Sequence, residues 1–378
     1  MAFMLYGDNI IPILGVMSIT IYFSFWLERK HIIFKSLGSA FITFLIAGIL
    51  CGTGILPSQH IFYAQIFTWG IPLALASSLI TSEPIKNKRL GSVFIKSLVL
   101  GIVVLILIGS ITTLILYVTG VPDYPNANSA YILDIFYTLI TPKALSQFPR
   151  EGYSLFAVLG NGLFPFILVT GIILPVLLRR IYPTMWMNIP MDETKVHAME
   201  GEGRISFDRP NVSLENLSIL LALVLLCISI AEGICIRYYR IPFLVLLGFI
   251  GLIVRKAFQL RGFESTSNLV AEFMTHLLFF SAGTLLGDVQ FLKLAGPITI
   301  LSAALIGLEF FLILLVGRIL RLDIETLTVI ALSLTGGPYA AYAVAVIKKW
   351  QPLYWVALVS GIIIYELIGL MRNILFVL

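Results

Sequence analysis

Residues 327–347 form an apolar stretch long enough to cross a bilayer, yet Thr335-Gly336-Gly337-Pro338 stands in its middle. Proline lacks a backbone donor and its ring clashes with the carbonyl four residues earlier, while the two glycines add little helix propensity. In hydrocarbon a freed carbonyl must find another partner. Broken helices therefore survive only where protein encloses them or where they line a polar cavity. Secondary transporters place such interruptions at solute and ion sites near the membrane midplane. A packing kink is the alternative, because Gly and Pro are common in membrane helices.

The rest of the chain keeps this stretch in a membrane. Its 378 residues are 59% hydrophobic and 12% charged, and the mean hydropathy is +0.99. That composition belongs to an integral membrane protein. The net charge of +5 comes from basic residues between apolar segments and calls for no nucleic-acid partner. Cys51, Cys227 and Cys235 all fall within apolar segments, so no disulfide framework follows. The four histidines show no metal-ligand spacing, and neither metal nor cofactor is expected. No basic region precedes the first apolar run, and Glu28-Arg29-Lys30 follows it, unlike a cleavable signal peptide.

Candidate spans cover residues 10–27, 37–56, 62–81, 93–120, 153–178, 214–236, 241–260, 269–287, 295–320, 327–347 and 352–378. Each is near the roughly 17–25 residues that a spanning helix needs. A weaker segment, 129–148, carries Asp134, Pro142 and Lys143 and reads as short, broken or re-entrant. If it does not cross, the N-terminus lies outside and the inner loops collect Arg29, Lys30, Arg255, Lys256, Arg318 and Arg321, as the positive-inside bias requires. Lys348 and Lys349 then fall outside. The expected fold is an all-α integral membrane protein of about 11 transmembrane helices, multi-pass in a bacterial inner membrane.

The long polar stretch 181–213 reads as a cytoplasmic linker between a first membrane repeat, 1–180, and a second, 214–378. Each half runs through two helices, a third ending near a polar turn, a long fourth, an interrupted segment and a closing helix. Segment 129–148 matches 327–347. Five crossings in the first half turn the second upside down, the inverted-repeat plan of many secondary transporters.

Two regions carry a family likeness. One is Gly54-Ile55-Leu56-Pro57-Ser58 with Tyr63 and the run from Trp69 to Ala76. The other is Gly317-Arg318-Ile319-Leu320-Arg321-Leu322-Asp323 followed by Thr335-Gly336-Gly337-Pro338, Lys349 and Trp350. Both resemble the bacterial "domain of unknown function 819" membrane proteins. Phe279-Phe280-Ser281-Ala282-Gly283 is similar to a helix of the broader cation:proton antiporter and anion transporter superfamily. The resemblance implies a fold with paired broken helices. The chain departs from it at Leu139-Ile140-Thr141-Pro142-Lys143-Ala144, where the family has glycines and an asparagine, and it lacks paired aspartates within a span.

Ionisable side chains deep in a span are costly unless paired or facing water, which makes each a candidate. Glu309 and Glu366 sit well inside their segments and could carry a proton or bind a cation; an interhelical hydrogen bond is the alternative. Glu272 and His276, four residues apart, share a helix face, though Glu272 is near the end of its span. Lys96 can snorkel to the surface. Lys143 could replace a coupling cation or attract an anion if its segment faces the cavity.

The leading expectation is a secondary transporter moving a small solute, an anion or organic acid, coupled to a proton or cation. Ser333, Thr335, Gly336, Gly337, Pro338 and Lys143 are the substrate-binding candidates, and Glu309 and Glu366 the ion-coupling ones. No phosphate loop, nucleophile elbow or metal cluster marks an enzyme. The rival expectation is a non-transporting membrane subunit that keeps the fold and binds a protein partner. Either protein works in the lipid bilayer, as a homodimer or beside a membrane partner.

Overall fold

The structure, a computed structural model, describes residues 10–31, 34, 37–57, 60–81, 88–119, 213–238, 243–258, 263–286, 296–335, 337–348, 350 and 353–377. Among these residues every regular element is a helix: α1 Ile10–Lys30, α2 Ser39–Gly52, α3 Ile61–Thr81, α4 Lys88–Thr119, α5 Leu214–Arg237, α6 Phe243–Phe258, α7 Glu264–Leu286, α8 Gly296–Ile319, α9 Ile324–Thr335, α10 Gly337–Ile347 and α11 Tyr354–Val377. Ile10–Lys30, Gly91–Ile108 and Leu214–Arg237 are long and apolar enough to cross a membrane, which suggests membrane association. The expected linker 181–213, segment 129–148 with Lys143, and span 153–178 lie outside the described residues.

Local chemistry sets several of the helix starts. Ser213 caps α5 by accepting the Asn216 N–H at 3.0 Å. Gly38, at φ 87°, turns the chain into α2 without a side-chain cap of its own. Glu28, from the last turn of α1, supplies one instead: its Oε2 accepts the Ser39 N–H at 3.1 Å.

The helices sort into two packed groups. The first holds α1, α2, α3, α5, α6 and α7, with α7 wedged between α2 and α3. The second holds α4, α8, α9, α10 and α11. Small residues set the spacing. Gly283 of α7 lies against the Phe44 carbonyl and Ala47 of α2, where a Cβ would collide with both. Gly101 of α4 lets the side chains of Ile364 (α11) and Ile330 (α9) press on its backbone. The groups meet where α10 and α11 touch α3, α6 and α7.

The path of α9 and α10 departs from the expected spanning helix. In the second group, Phe94 of α4 packs edge-on against Trp355 of α11 at 5.5 Å, and Gly101 faces Ile364 farther along both helices, so α4 and α11 run parallel. Near the start of α4, Lys96 donates to the Leu320 carbonyl just before α9 at 3.3 Å, and Gly101 meets Ile330 farther on, so α9 points the same way. Helix α10 points back: Pro338 lies against Gly361, whereas Tyr342 meets the earlier Tyr354 at 5.7 Å. Residues 324–347 are therefore a helical hairpin whose two ends open on one end of the group. The halves, of 12 and 11 residues, reach only about 18 and 16 Å at 1.5 Å per residue. Neither alone covers a hydrocarbon core of about 30 Å. The 21-residue apolar count fits two short halves as well as one span, which is why length alone points to a crossing.

Candidate functional site

The tip of the hairpin is built by its sequence. Thr335 ends α9, and Gly337 begins α10 with φ 69°, a left-handed conformation that glycine adopts without strain. Pro338 follows in the first turn of α10, where a missing N–H costs no intrahelical bond. The tip is enclosed. Gly337 and Pro338 are both buried, and Pro338 rests on the bare backbone of Gly361, where a Cβ would stand 2.5 Å from Pro338 Cα. Close approach is thus provided by a glycine on α11 that sequence reasoning passed over. Its signal was faint, a single Gly within an apolar helix. Gly336 and the side chain of Thr335 lie outside the described residues. Ser333 is fully buried, and its hydroxyl donates to the Val329 carbonyl at 2.8 Å.

A turn of this kind concentrates polarity in an apolar surround. The last carbonyls of α9 and the first N–H groups of α10 lack intrahelical partners, and the N-terminus of α10 carries partial positive charge. Glu309 is on α8, the helix that precedes α9. Gly317 of α8 abuts Leu327 of the antiparallel α9; Glu309 is eight residues back from that contact and Thr335 eight residues on, so the two lie at one level. Glu309 is 3% exposed, and its Oε1 has no hydrogen-bond partner among the described residues. Glu366 lies five residues beyond Gly361 on α11, past the tip, and is half-buried. Lys143 cannot be placed with them because it lies outside the described residues.

The entry to α9 holds a second buried acid that was read only as part of a motif. Asp323 is 4% exposed and caps the helix: its Oδ1 accepts the Thr326 hydroxyl at 2.5 Å and its Oδ2 the Thr326 N–H at 3.3 Å. Burial pushes its carboxyl from the usual 3.8 up to about 6; the Thr326 hydroxyl works against that shift and the charge of Glu325 adds to it. A carboxyl whose pKa is raised by folding binds its proton more tightly in the folded chain. Its contribution to stability is full below its ordinary value and is lost as pH rises through the folded one. The protein is therefore expected to lose stability between about pH 4 and 6 through this group. Asp323→Asn keeps a capping oxygen and should flatten that slope, leaving the variant about 1–3 kcal/mol ahead of the parent at pH 7. Thermal unfolding across pH 4–8 measures this; parallel slopes in parent and variant would refute it.

The spaced pair Glu272 and His276 behaves differently from its spacing. The His276 Nδ1–H donates to the Glu272 backbone carbonyl at 2.8 Å, not to the carboxylate, and Nε2 meets the Ser39 hydroxyl at 3.0 Å. Phe25 covers the ring at 4.6 Å. His276 is buried, whereas Glu272 is exposed. This set ties α1, α2 and α7 together and lies apart from the hairpin tip. No three His, Cys, Asp or Glu side chains converge on a metal-sized site among the described residues.

A scan of the chain against protein-family models finds no match, and a search among curated protein sequences finds none either. The site's own geometry carries the functional argument: a buried carboxyl, whose Oε1 has no hydrogen-bond partner among the described residues, at the level of a broken-helix tip.

Proposed function

We propose that this chain is a multi-pass inner-membrane secondary transporter that moves a small solute, an anion or organic acid, coupled to a proton or a cation. The observation that carries the reading is Glu309, buried at the level of the hairpin tip with its Oε1 lacking a hydrogen-bond partner among the described residues. A carboxylate in that position costs several kcal/mol unless a proton or cation joins it. The N-terminal end of α10 offers a complementary place for an anionic group. The motif likeness to the domain-of-unknown-function-819 proteins is part of the same proposal.

Support for an inverted repeat comes from the sorting of the helices. Helices α1–α3 and α5–α7, the first three of each half, share one group, while α4 and α8 share the other. Treating the α9–α10 hairpin as re-entrant changes the crossing count from eleven to ten, five per repeat, with both termini outside. Lys348 then joins Arg318 and Arg321 inside, which strengthens the positive-inside balance.

Single cysteines test the topology. Cysteines at Arg321 and Lys348 should label from one side of the membrane and a cysteine at Val377 from the other. Opposite-side labelling of the first two would restore a spanning helix. The activity itself is tested by gradient-driven uptake of small carboxylates into proteoliposomes, with and without a pH or sodium gradient. Failure of every solute and gradient would reject transport.

A further inference from the structure

One contact brings three parallel helices of the second group together. A Cβ on Gly101 of α4 would stand 2.5 Å from Ile364 Cδ1 of α11 and 3.7 Å from Ile330 Cγ2 of α9. Four residues before each of these positions, one turn back on the same helix face, stands a hydroxyl: Ser97 on α4, Ser360 on α11 and Thr326 on α9. All three are fully buried. Contacts on the other side keep the same register, with Phe94 against Trp355 at 5.5 Å and Lys96 on the Leu320 carbonyl at 3.3 Å. The three hydroxyls therefore converge at one level between α4, α9 and α11.

We propose that Ser97, Thr326, Ser360 and the Asp323 carboxylate form a sodium site near the start of α9. The hydrogen bonds decide the sign of the ligand. Thr326 donates its hydroxyl proton to Asp323 Oδ1 at 2.5 Å, and Ser360 donates its own to the Val356 carbonyl. Their oxygens, like the carboxylate, offer only lone pairs to the space between the helices. Ser97 Oγ has no hydrogen-bond partner among the described residues. Acceptors gathered in an apolar surround call for a cation, and hydroxyl and carboxylate oxygens suit a hard one. Charge sets its valence. Asp323 supplies one negative charge, while Glu325 is turned about 140° round α9 from Ile330, and Lys96 is exposed with its Nζ at Leu320. A monovalent ion balances a single carboxylate, whereas a divalent one would leave a net charge buried. The tight packing one turn on, at Gly101, favours sodium over the larger potassium. This cluster is separate from Glu309, which lies level with Thr335, about 13 Å farther along α9 than Thr326.

The site does not rest on the transporter reading, so its test needs no solute, and failed uptake would leave the expected result in place. Thermal unfolding of the full chain in detergent is followed at one alkaline pH as sodium chloride replaces choline chloride at constant ionic strength. Sodium should raise the melting temperature of the parent by about 2–4 °C, as a ligand bound only by the folded chain does. Potassium chloride and magnesium chloride should not. Ser97→Ala, Ser360→Ala and Asp323→Asn should each lose the sodium shift, and Thr326→Ser, which keeps the hydroxyl, should retain it. Glu309→Gln should retain it too, as should Ser218→Ala, which removes an exposed hydroxyl of α5. No sodium shift in the parent, an equal shift with potassium or magnesium, or a shift lost in Glu309→Gln and kept in Ser97→Ala would overturn the proposal. Should Ser97→Ala fail to fold, Ser360→Ala and Thr326→Ser decide: loss in the first with retention in the second supports the site, and any other pattern overturns it.

Discussion

Gly361→Ala should destabilise the protein by about 1–3 kcal/mol, the usual cost of forcing an extra methyl group into packed structure. The new Cβ would meet Pro338 Cα at 2.5 Å, its Cβ at 2.9 Å and its nitrogen at 3.2 Å. Two of those three atoms are backbone, so no rotamer change relieves the contact; the hairpin tip must move off α11 or the helix must bend. Gly307→Ala is the matched control. It also sits in the interior of a long helix, yet a Cβ there meets nothing within 4 Å. That variant should be unchanged or gain about 0.5–1 kcal/mol from helix propensity. Thermal unfolding of both in detergent, at one protein concentration, measures the difference. Equal melting temperatures would mean that the tip does not rest on Gly361.

The same contact explains what the sequence reveals about the hairpin and what it hides. The break at residues 335–337 is legible because Gly-Gly-Pro contradicts a continuous helix by its own backbone chemistry. The direction taken after the break is not legible. It depends on the left-handed φ of Gly337 and on Pro338 finding Gly361, a partner 23 positions away that no local pattern marks. Hydropathy sees only that residues on both sides of the break are apolar. The all-helical character follows directly from runs of apolar residues too long for strands. The sorting into two groups depends on where small residues allow close approach, as at Gly283 and Gly101.

The acids divide in the same way. Glu309 and Glu366 look alike in sequence, each near the middle of an apolar run, and only packing separates the buried one from the half-buried one. The spacing of Glu272 and His276 correctly puts them on one helix face. It cannot say that the imidazole bonds the backbone carbonyl, the nearer acceptor one turn back. Asp323 was legible in principle: an acid directly before an apolar helix is a favoured N-cap. In the sequence it was overshadowed by the motif that contains it.

On the proposed transporter reading, Glu309→Gln is expected to abolish gradient-driven accumulation of the solute while leaving solute exchange across the membrane in place. The amide keeps the size of the side chain and one carbonyl oxygen but cannot gain or lose a proton, and it binds a cation far more weakly than a carboxylate. If Glu309 carries the coupling ion, the variant's site is permanently neutral, as if loaded, and the empty, charged state that must be refilled in each cycle no longer exists. Exchange, which needs only the loaded form, survives; net driven flux does not. The substitution should not harm folding, because a buried neutral amide costs less than an unpaired buried charge. Glu272→Gln, on an exposed side chain, should transport like the parent. Glu366→Gln, half-buried past the tip, should shift the pH dependence of uptake without removing it if it tunes the site from a distance. Proteoliposomes holding each variant, assayed for driven uptake and for counterflow exchange over a range of pH, separate these outcomes. Parent-like accumulation by Glu309→Gln at every pH would make Glu309 a structural acid and move the coupling role to Glu366; loss of exchange together with accumulation would instead place Glu309 in solute binding.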